Sequence, residues 1–132
     1  MKRRHPKAEQ GQTMAEFAIV MPILILVLFG IIQFGIVFNN YVALTDAARA
    51  GARKGAVSRN DPVGAQTACQ NQVFASRGNL DPKKLNATCS SSNNWQPGSD
   101  VQVTASYPYS LKLFGIPITN GFLTTVMKER VE

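Results

Sequence analysis

Two kinds of reactive side chain could do chemistry in this sequence: a pair of cysteines, and a glutamate beside a long apolar run. Cys69 and Cys89 are the only cysteines. A disulfide between them would close a loop of about twenty residues and contribute roughly 3 kcal/mol in the chain-entropy model; two buried free thiols are the alternative. The single histidine, His5, lies far from both in the sequence. With no His/Cys cluster for zinc, no Ser-His-Asp set and no phosphate-cradling glycine loop, we predict no enzyme, metal or cofactor.

The glutamate is Glu16, which precedes a segment without charged residues from Phe17 to Phe38. As a helix this segment would be about 33 Å long at roughly 1.5 Å per residue, against a hydrocarbon core of about 30 Å. A carboxylate at the edge of a transmembrane helix costs free energy unless it has a partner. Glu16 is therefore either an acid that the helix macrodipole favours or one member of a charge pair. Pro22 predicts a kink inside the helix.

The net charge of +6 does not lie on one compact face. The basic residues that flank the apolar segment are Lys2, Arg3, Arg4 and Lys7 before it, and Arg49, Arg53, Lys54 and Arg59 after it. Such residues are more often membrane anchors than nucleic-acid contacts, so we predict membrane lipid as a partner and no nucleic acid. Because both flanks are basic, the charges alone do not orient the chain. The two cysteines suit an oxidising exterior, which favours a cytoplasmic N-terminus and an extracytoplasmic C-terminal part.

Small residues recur every four positions beyond the apolar segment. The two rows are Ala47, Gly51 and Gly55, and Ala48, Ala52 and Ala56. They would form a smooth strip on one helix that runs from about Thr13 to Val57, and such a strip lets another element approach closely. Packing against the chain's own domain and packing between subunits are both open.

The remainder predicts a small α+β domain. Asp61 and Pro62 are typical of a helix start, and a second helix is predicted over 62–77. Alternating apolar residues predict three antiparallel strands near 85–90, 101–110 and 123–131, with Pro108 at an edge or an end. The apolar segment 111–118 is expected to plug the core, in preference to contacting a membrane surface or a partner.

The start of the apolar run resembles the cleavage site of type IV pilin-like proteins. The resemblance implies that a dedicated peptidase cuts between Gly11 and Gln12 on the cytoplasmic face, so that Glu16 becomes the fifth residue of the mature chain. Cleavage would create an α-amine on Gln12 that is charged at neutral pH. Its gross attraction to Glu16 would be about 4 kcal/mol at contact distance and an effective dielectric near 20, before desolvation. In a packed filament the amine can come from the next subunit, so Glu16 and Phe17 would serve assembly.

A wider set of residues resembles the TadE-like proteins of the tight-adherence (Flp) pilus system. The residues that carry the resemblance are Gly11, Tyr41 and the ranges 15–22, 28–35, 47–53, 107–109 and 127–132. Residues 60–100 match only in general character, and Gln33 stands where many relatives carry an acid. The resemblance implies a pilin-like fold and a minor pseudopilin that is matured by an aspartyl-type prepilin peptidase. Its partners would be other pilin-like subunits and the pilus assembly machinery.

The chain would then comprise a cytoplasmic leader (1–11), a transmembrane and extended helix (12–57) and an extracytoplasmic α+β domain (58–132). It would cross the inner membrane once, or lie within or at the tip of a surface pilus. The alternative function is an extracellular binding or adhesion module that keeps its leader as an uncleaved signal anchor.

Overall fold

The structure is a computed structural model that describes residues 7–58, 61–113 and 115–131. Within these residues the elements are α1 (Lys7–Val57), α2 (Pro62–Ala75), β1 (Asn86–Ser91), β2 (Asp100–Leu113) and β3 (Ile116–Arg130). The strands form an antiparallel sheet in the order β1-β2-β3. This confirms the α+β class with a long N-terminal helix, a second helix and a three-stranded antiparallel sheet. The expectations for Lys2, Arg3, Arg4, His5, Arg59 and Phe114 lie outside the described residues.

Among the described residues, α1 up to Gly35 forms one compact unit, and those from Ile36 onward form the other. The helix begins at Lys7 rather than near Thr13, because Lys, Ala, Glu and Gln are good helix formers and extend it upstream of the apolar run. From Gly11 onward α1 is long and apolar enough to cross a membrane, and its apolar window has a mean hydropathy of 2.7. None of that window is buried in the protein.

The start of α2 follows the pattern that the sequence predicts. The Oδ1 atom of Asp61 accepts a hydrogen bond of 2.9 Å from the backbone N–H of Gly64, and Pro62 occupies the first turn. The side chain thus satisfies a donor that has no partner within the helix. The helix ends at Ala75, two residues before the predicted end, and Gly78 follows with a φ of +60°.

The register of the sheet explains the position of Pro108. β1 pairs with β2 only as far as Asn86 opposite Ser106, whereas β2 and β3 continue together to Leu113 opposite Ile116. At Pro108 the middle strand therefore has β3 as its only neighbour among the described strands. A residue without a backbone N–H is tolerated there, in agreement with the predicted edge position.

One hydrophobic core lies between the second half of α1, α2 and one face of the sheet. The buried apolar residues are Leu44, Ala47, Ala48, Ala52, Ala65, Cys69, Val73, Leu80, Leu85, Cys89, Trp95, Val101, Val103, Ala105 and Val131. On β2 the buried positions alternate through Val101, Val103 and Ala105, as expected for a sheet covered on one face.

The expected core plug at 111–118 is wrong. Leu111 to Leu113 continue β2, and Ile116 begins β3, so the segment is the end of a β-hairpin. Ile116 and Ile118 are 70% and 65% exposed. Branched and long apolar residues on both sides of Gly115, whose φ is +87°, favour extended strands around a tight turn. Hydropathy alone does not reveal whether an apolar residue is covered.

Candidate membrane-anchoring and assembly segment

Gly11, Gln12 and Glu16 lie on one exposed stretch of α1. The Nε2 atom of Gln12 donates a hydrogen bond of 3.3 Å to Oε1 of Glu16, one helical turn further along. The carboxylate of Glu16 therefore faces back toward position 12. Cleavage before Gln12 would create an α-amine on the same side of Glu16 that the Gln12 side chain contacts.

The bond between Gly11 and Gln12 lies inside the helix rather than in an extended leader. α1 begins at Lys7, so both residues are helical. A helical peptide bond has to unwind locally before a peptidase can hold it in extended form. Gly11 makes unwinding easier, since glycine is about 1 kcal/mol less favourable than alanine within a helix. A Cβ built on Gly11 would meet nothing within 4 Å, so no packing requires the glycine.

The apolar part of α1 presents large side chains around its whole circumference. Those exposed by more than half include Phe17, Ile19, Ile23, Leu24, Leu26, Val27, Leu28, Ile31, Phe34 and Phe38. A helix that is apolar on all sides is suited to a lipid environment or to a bundle of similar helices. Pro22 lies within this helix, which continues on both sides of it.

The small-residue strip packs inside the chain's own domain. Ala47, Ala48 and Ala52 are fully buried. A Cβ on Gly51 would clash with Cγ2 of Val73 and lie 3.1 Å from the carbonyl oxygen of Cys69. Of the two alternatives, the structure shows packing against the chain's own domain, because these positions let α2 approach α1. Side chains that are already buried in this way are not available to a second subunit.

Gly55 likewise allows the turn between β1 and β2 to approach α1 closely. A Cβ there would lie 2.7 Å from Cζ3 of Trp95 and 3.1 Å from Cγ1 of Val101. Trp95 stands in the polar segment 90–100, yet its side chain is only 5% exposed. Its backbone has a φ of +61°, and its N–H donates to Oγ of Ser91 at 3.0 Å. The one available signal was that Trp95 is the only tryptophan, standing at the centre of an otherwise polar segment.

The disulfide that the sequence predicts is present between Cys69 of α2 and Cys89 of β1. The two Cα atoms are 6.3 Å apart, and both residues are buried. In the described part of the chain no cysteine is free, and no three His, Cys, Asp or Glu side chains are grouped so that they could hold a metal ion. The cysteines thus connect the second helix to the edge strand of the sheet.

The basic residues interspersed with the small-residue strip lie near acidic ones. Arg49 pairs with Asp46 at 3.6 Å, and both side chains are about two-thirds exposed. Together with Arg53, Lys54 and Glu129 they line an open groove of about 620 Å³. An exposed pair of this kind adds little to stability, and the mixed charges give the groove no field of a single sign.

Comparison with known proteins gave a match to the part of the N-terminal helix that runs from the candidate cleavage site into the small-residue strip. A family model described as TadE-like protein was matched over part of the chain. Residues 11–53 match the TadE-like family. The match confirms the resemblance for these residues, which are 43 of the 132 in the chain, and does not extend to the ranges 107–109 and 127–132. No curated protein and no solved structure matches the chain.

The TadE-like segment begins at Gly11 and includes Glu16, Pro22 and most of the small-residue strip. It ends at residue 53, so α2, the disulfide and the sheet lie beyond it.

Proposed function

We propose that this protein is a minor pseudopilin of a tight-adherence pilus, anchored in the inner membrane by α1 and processed by a prepilin peptidase after Gly11. The observation that carries the proposal is the TadE-like match. It starts at the glycine of the candidate cleavage site and continues through Glu16 and the exposed apolar helix. The surface of that helix suits lipid before assembly and neighbouring pilin-like helices afterwards.

The proposed topology has residues 1–11 as a cytoplasmic leader, 12–57 as the transmembrane and extended helix, and 58–132 as an extracytoplasmic domain. The disulfide supports this orientation, since such bonds persist in oxidising compartments outside the cytoplasm. The partners in this proposal are the peptidase, membrane lipid, other pilin-like subunits and the assembly machinery.

The deciding experiment is mass spectrometry of the N-terminus of the membrane-extracted protein, from cells with and without the peptidase. We expect the chain to begin at Gln12 when the peptidase is present and at Met1 when it is absent. A start at Met1 in both would refute processing and favour the alternative of a binding or adhesion module with an uncleaved anchor.

Two matched variants sharpen this measurement. Gly11→Leu places a bulky side chain next to the scissile bond and should leave the leader attached. Gly30→Leu makes the same change at another glycine of α1 that also has no neighbour within 4 Å of a built Cβ, and it should be processed normally. Equal processing of both variants would show that the cut does not depend on position 11.

A further inference from the structure

The end of the β2–β3 hairpin carries an exposed apolar surface that the proposed function does not use. We define the hairpin tip as residues 111–113 and 115–118. Ile116 and Ile118 in the tip are 70% and 65% exposed, and Phe122, next along β3, is 69% exposed. Side chains of this size are seldom left in water as a group on a small domain, so the surface calls for a covering partner.

The contacts within residues 36–132 determine at which end of this unit the tip lies. Val101, at the start of β2, lies against Gly55 near the end of α1. Six residues further along β2, the hydroxyl of Tyr107 accepts a hydrogen bond of 3.3 Å from the backbone N–H of Asp81. Asn79, two residues before Asp81, donates to Oδ1 of Asn40 at 3.3 Å. β2 therefore runs antiparallel to the second half of α1.

The tip lies beyond Tyr107 in that same direction. From Tyr107 to Leu113 the strand continues for about 20 Å at roughly 3.3 Å per residue. The tip is thus at the end of the unit where α1 enters it from the apolar segment, rather than at the end near Gly55. If α1 crosses a bilayer, the chain enters the domain from the membrane at this end.

The composition of the hairpin is that of a membrane-facing surface. From Val101 to Met127 the only charged residue is Lys112, which is exposed and positive and so complements anionic lipid headgroups. Tyr41 of α1 and Tyr107 and Tyr109 of β2 are the three tyrosines of the chain, and all lie toward this end. Tyrosine is enriched where protein passes through the membrane interface. The ring of Tyr109 covers Gly121 on the opposite strand, with ring atoms 3.0–3.2 Å from a built Cβ.

We propose that the hairpin tip inserts into the interfacial region of the same bilayer that holds α1, as a second attachment of the domain to the lipid. The occupant of the exposed apolar surface is then the lipid bilayer itself, at the boundary between headgroups and acyl chains. Ile116 and Ile118 contact the acyl region. Lys112, which pairs with Pro117 near the turn, extends its flexible side chain back to the phosphate level. This inference rests on the proposed membrane anchoring by α1.

The test uses tryptophans introduced into the full chain, reconstituted at low density in vesicles of phosphatidylcholine and phosphatidylglycerol. Bromine atoms on the acyl chains quench tryptophan on contact. The native Trp95 is buried and gives a constant background. Ile118→Trp reports on the tip, and Thr88→Trp reports on an exposed position of β1 away from the tip. Leu26→Trp reports on the apolar part of α1.

We expect brominated lipid to remove most of the added emission of Ile118→Trp and of Leu26→Trp, and to leave that of Thr88→Trp unchanged. Quenching of Leu26→Trp without quenching of Ile118→Trp would overturn this inference alone. If the emission of Ile118→Trp is shifted to the blue but not quenched, protein rather than lipid covers the tip, and the inference is equally overturned. Absence of quenching at Leu26→Trp would overturn the membrane anchoring together with this inference.

Discussion

Glu16 is the residue on which the proposed assembly depends. Its carboxylate accepts a hydrogen bond from the side chain of Gln12 at 3.3 Å on an exposed face of α1. The donor in this contact carries no net charge, so it does not neutralise a carboxylate; a free α-amine on Gln12 of the same or the next subunit would supply the missing positive charge. An unpaired carboxylate at the edge of the apolar segment is costly in a membrane, so a charge partner is what the position requires.

We expect Glu16→Gln to be processed normally but to lose most of its incorporation into the pilus. The substitution keeps the size of the side chain and removes the charge that would pair with the new amine. The measurement is the amount of this protein in sheared pili relative to the membrane fraction, by immunoblot. Glu9→Gln is the matched control, because Glu9 leaves with the leader. Normal incorporation of Glu16→Gln would argue against the charge pair.

The elements of residues 36–132 pack closely because α1 carries glycine and alanine where α2 and the β1–β2 turn cross it. Val73 and the backbone of Cys69 pack directly against Gly51, and Trp95 packs directly against Gly55. Large side chains at these two positions would hold the elements apart. The small-residue strip is thus a requirement of this fold, and contacts between subunits have to use other surfaces of the helix.

Gly51→Ala is expected to destabilise the domain by about 1–3 kcal/mol, the usual cost of overpacking a well-packed interface. The added methyl would meet Val73 and the carbonyl oxygen of Cys69, which is backbone and cannot rotate away. The measurement is urea unfolding in detergent, followed by the fluorescence of the buried Trp95. Gly35→Ala is the control on the same helix: it has open space around the built Cβ and should be neutral or gain about 0.5–1 kcal/mol from helix propensity. Equal midpoints for both variants would contradict the packing argument.

The whole chain combines a helix suited to lipid with a small domain that contains a disulfide. The domain has few large buried side chains, since much of its core is alanine, valine and cysteine. Small domains of this kind commonly rely on a covalent link, because their core is too small to stabilise them strongly. The position of the disulfide therefore bears on both stability and topology.

In membranes prepared from intact cells, we expect alkylation to label no thiol before reduction and two thiols after it. Reduction should lower the free energy of unfolding by about 3 kcal/mol, because it frees a loop with a separation of 20 residues. The double variant Cys69→Ala/Cys89→Ala is the control and should not respond to reductant. Two labelled thiols before reduction would refute the disulfide and remove the main support for an extracytoplasmic domain.

Local patterns were sufficient to predict the elements. Asp61 and Pro62 indicated the start of α2, and alternating residues such as Val101 and Val103 indicated a strand with one buried face. These signals depend on neighbours in the chain, since caps and sheet faces are set within a few residues. The boundaries were less accurate: α1 begins at Lys7 and β2 continues to Leu113, because helix formers and apolar strand residues extend an element beyond its periodic part.

The sequence by itself determined three features: the apolar segment from Phe17 to Phe38, the glycine and glutamate that precede it, and the pair of cysteines. All three depend only on residue type and spacing. Only the tertiary structure decided that the small-residue strip is buried under α2, that Trp95 belongs to the core, and that Ile116 and Ile118 remain exposed. The physical reason is the same in each case. An apolar or small side chain can be covered by the chain's own domain, by a partner or by lipid, and only the spatial arrangement of distant segments distinguishes these coverings.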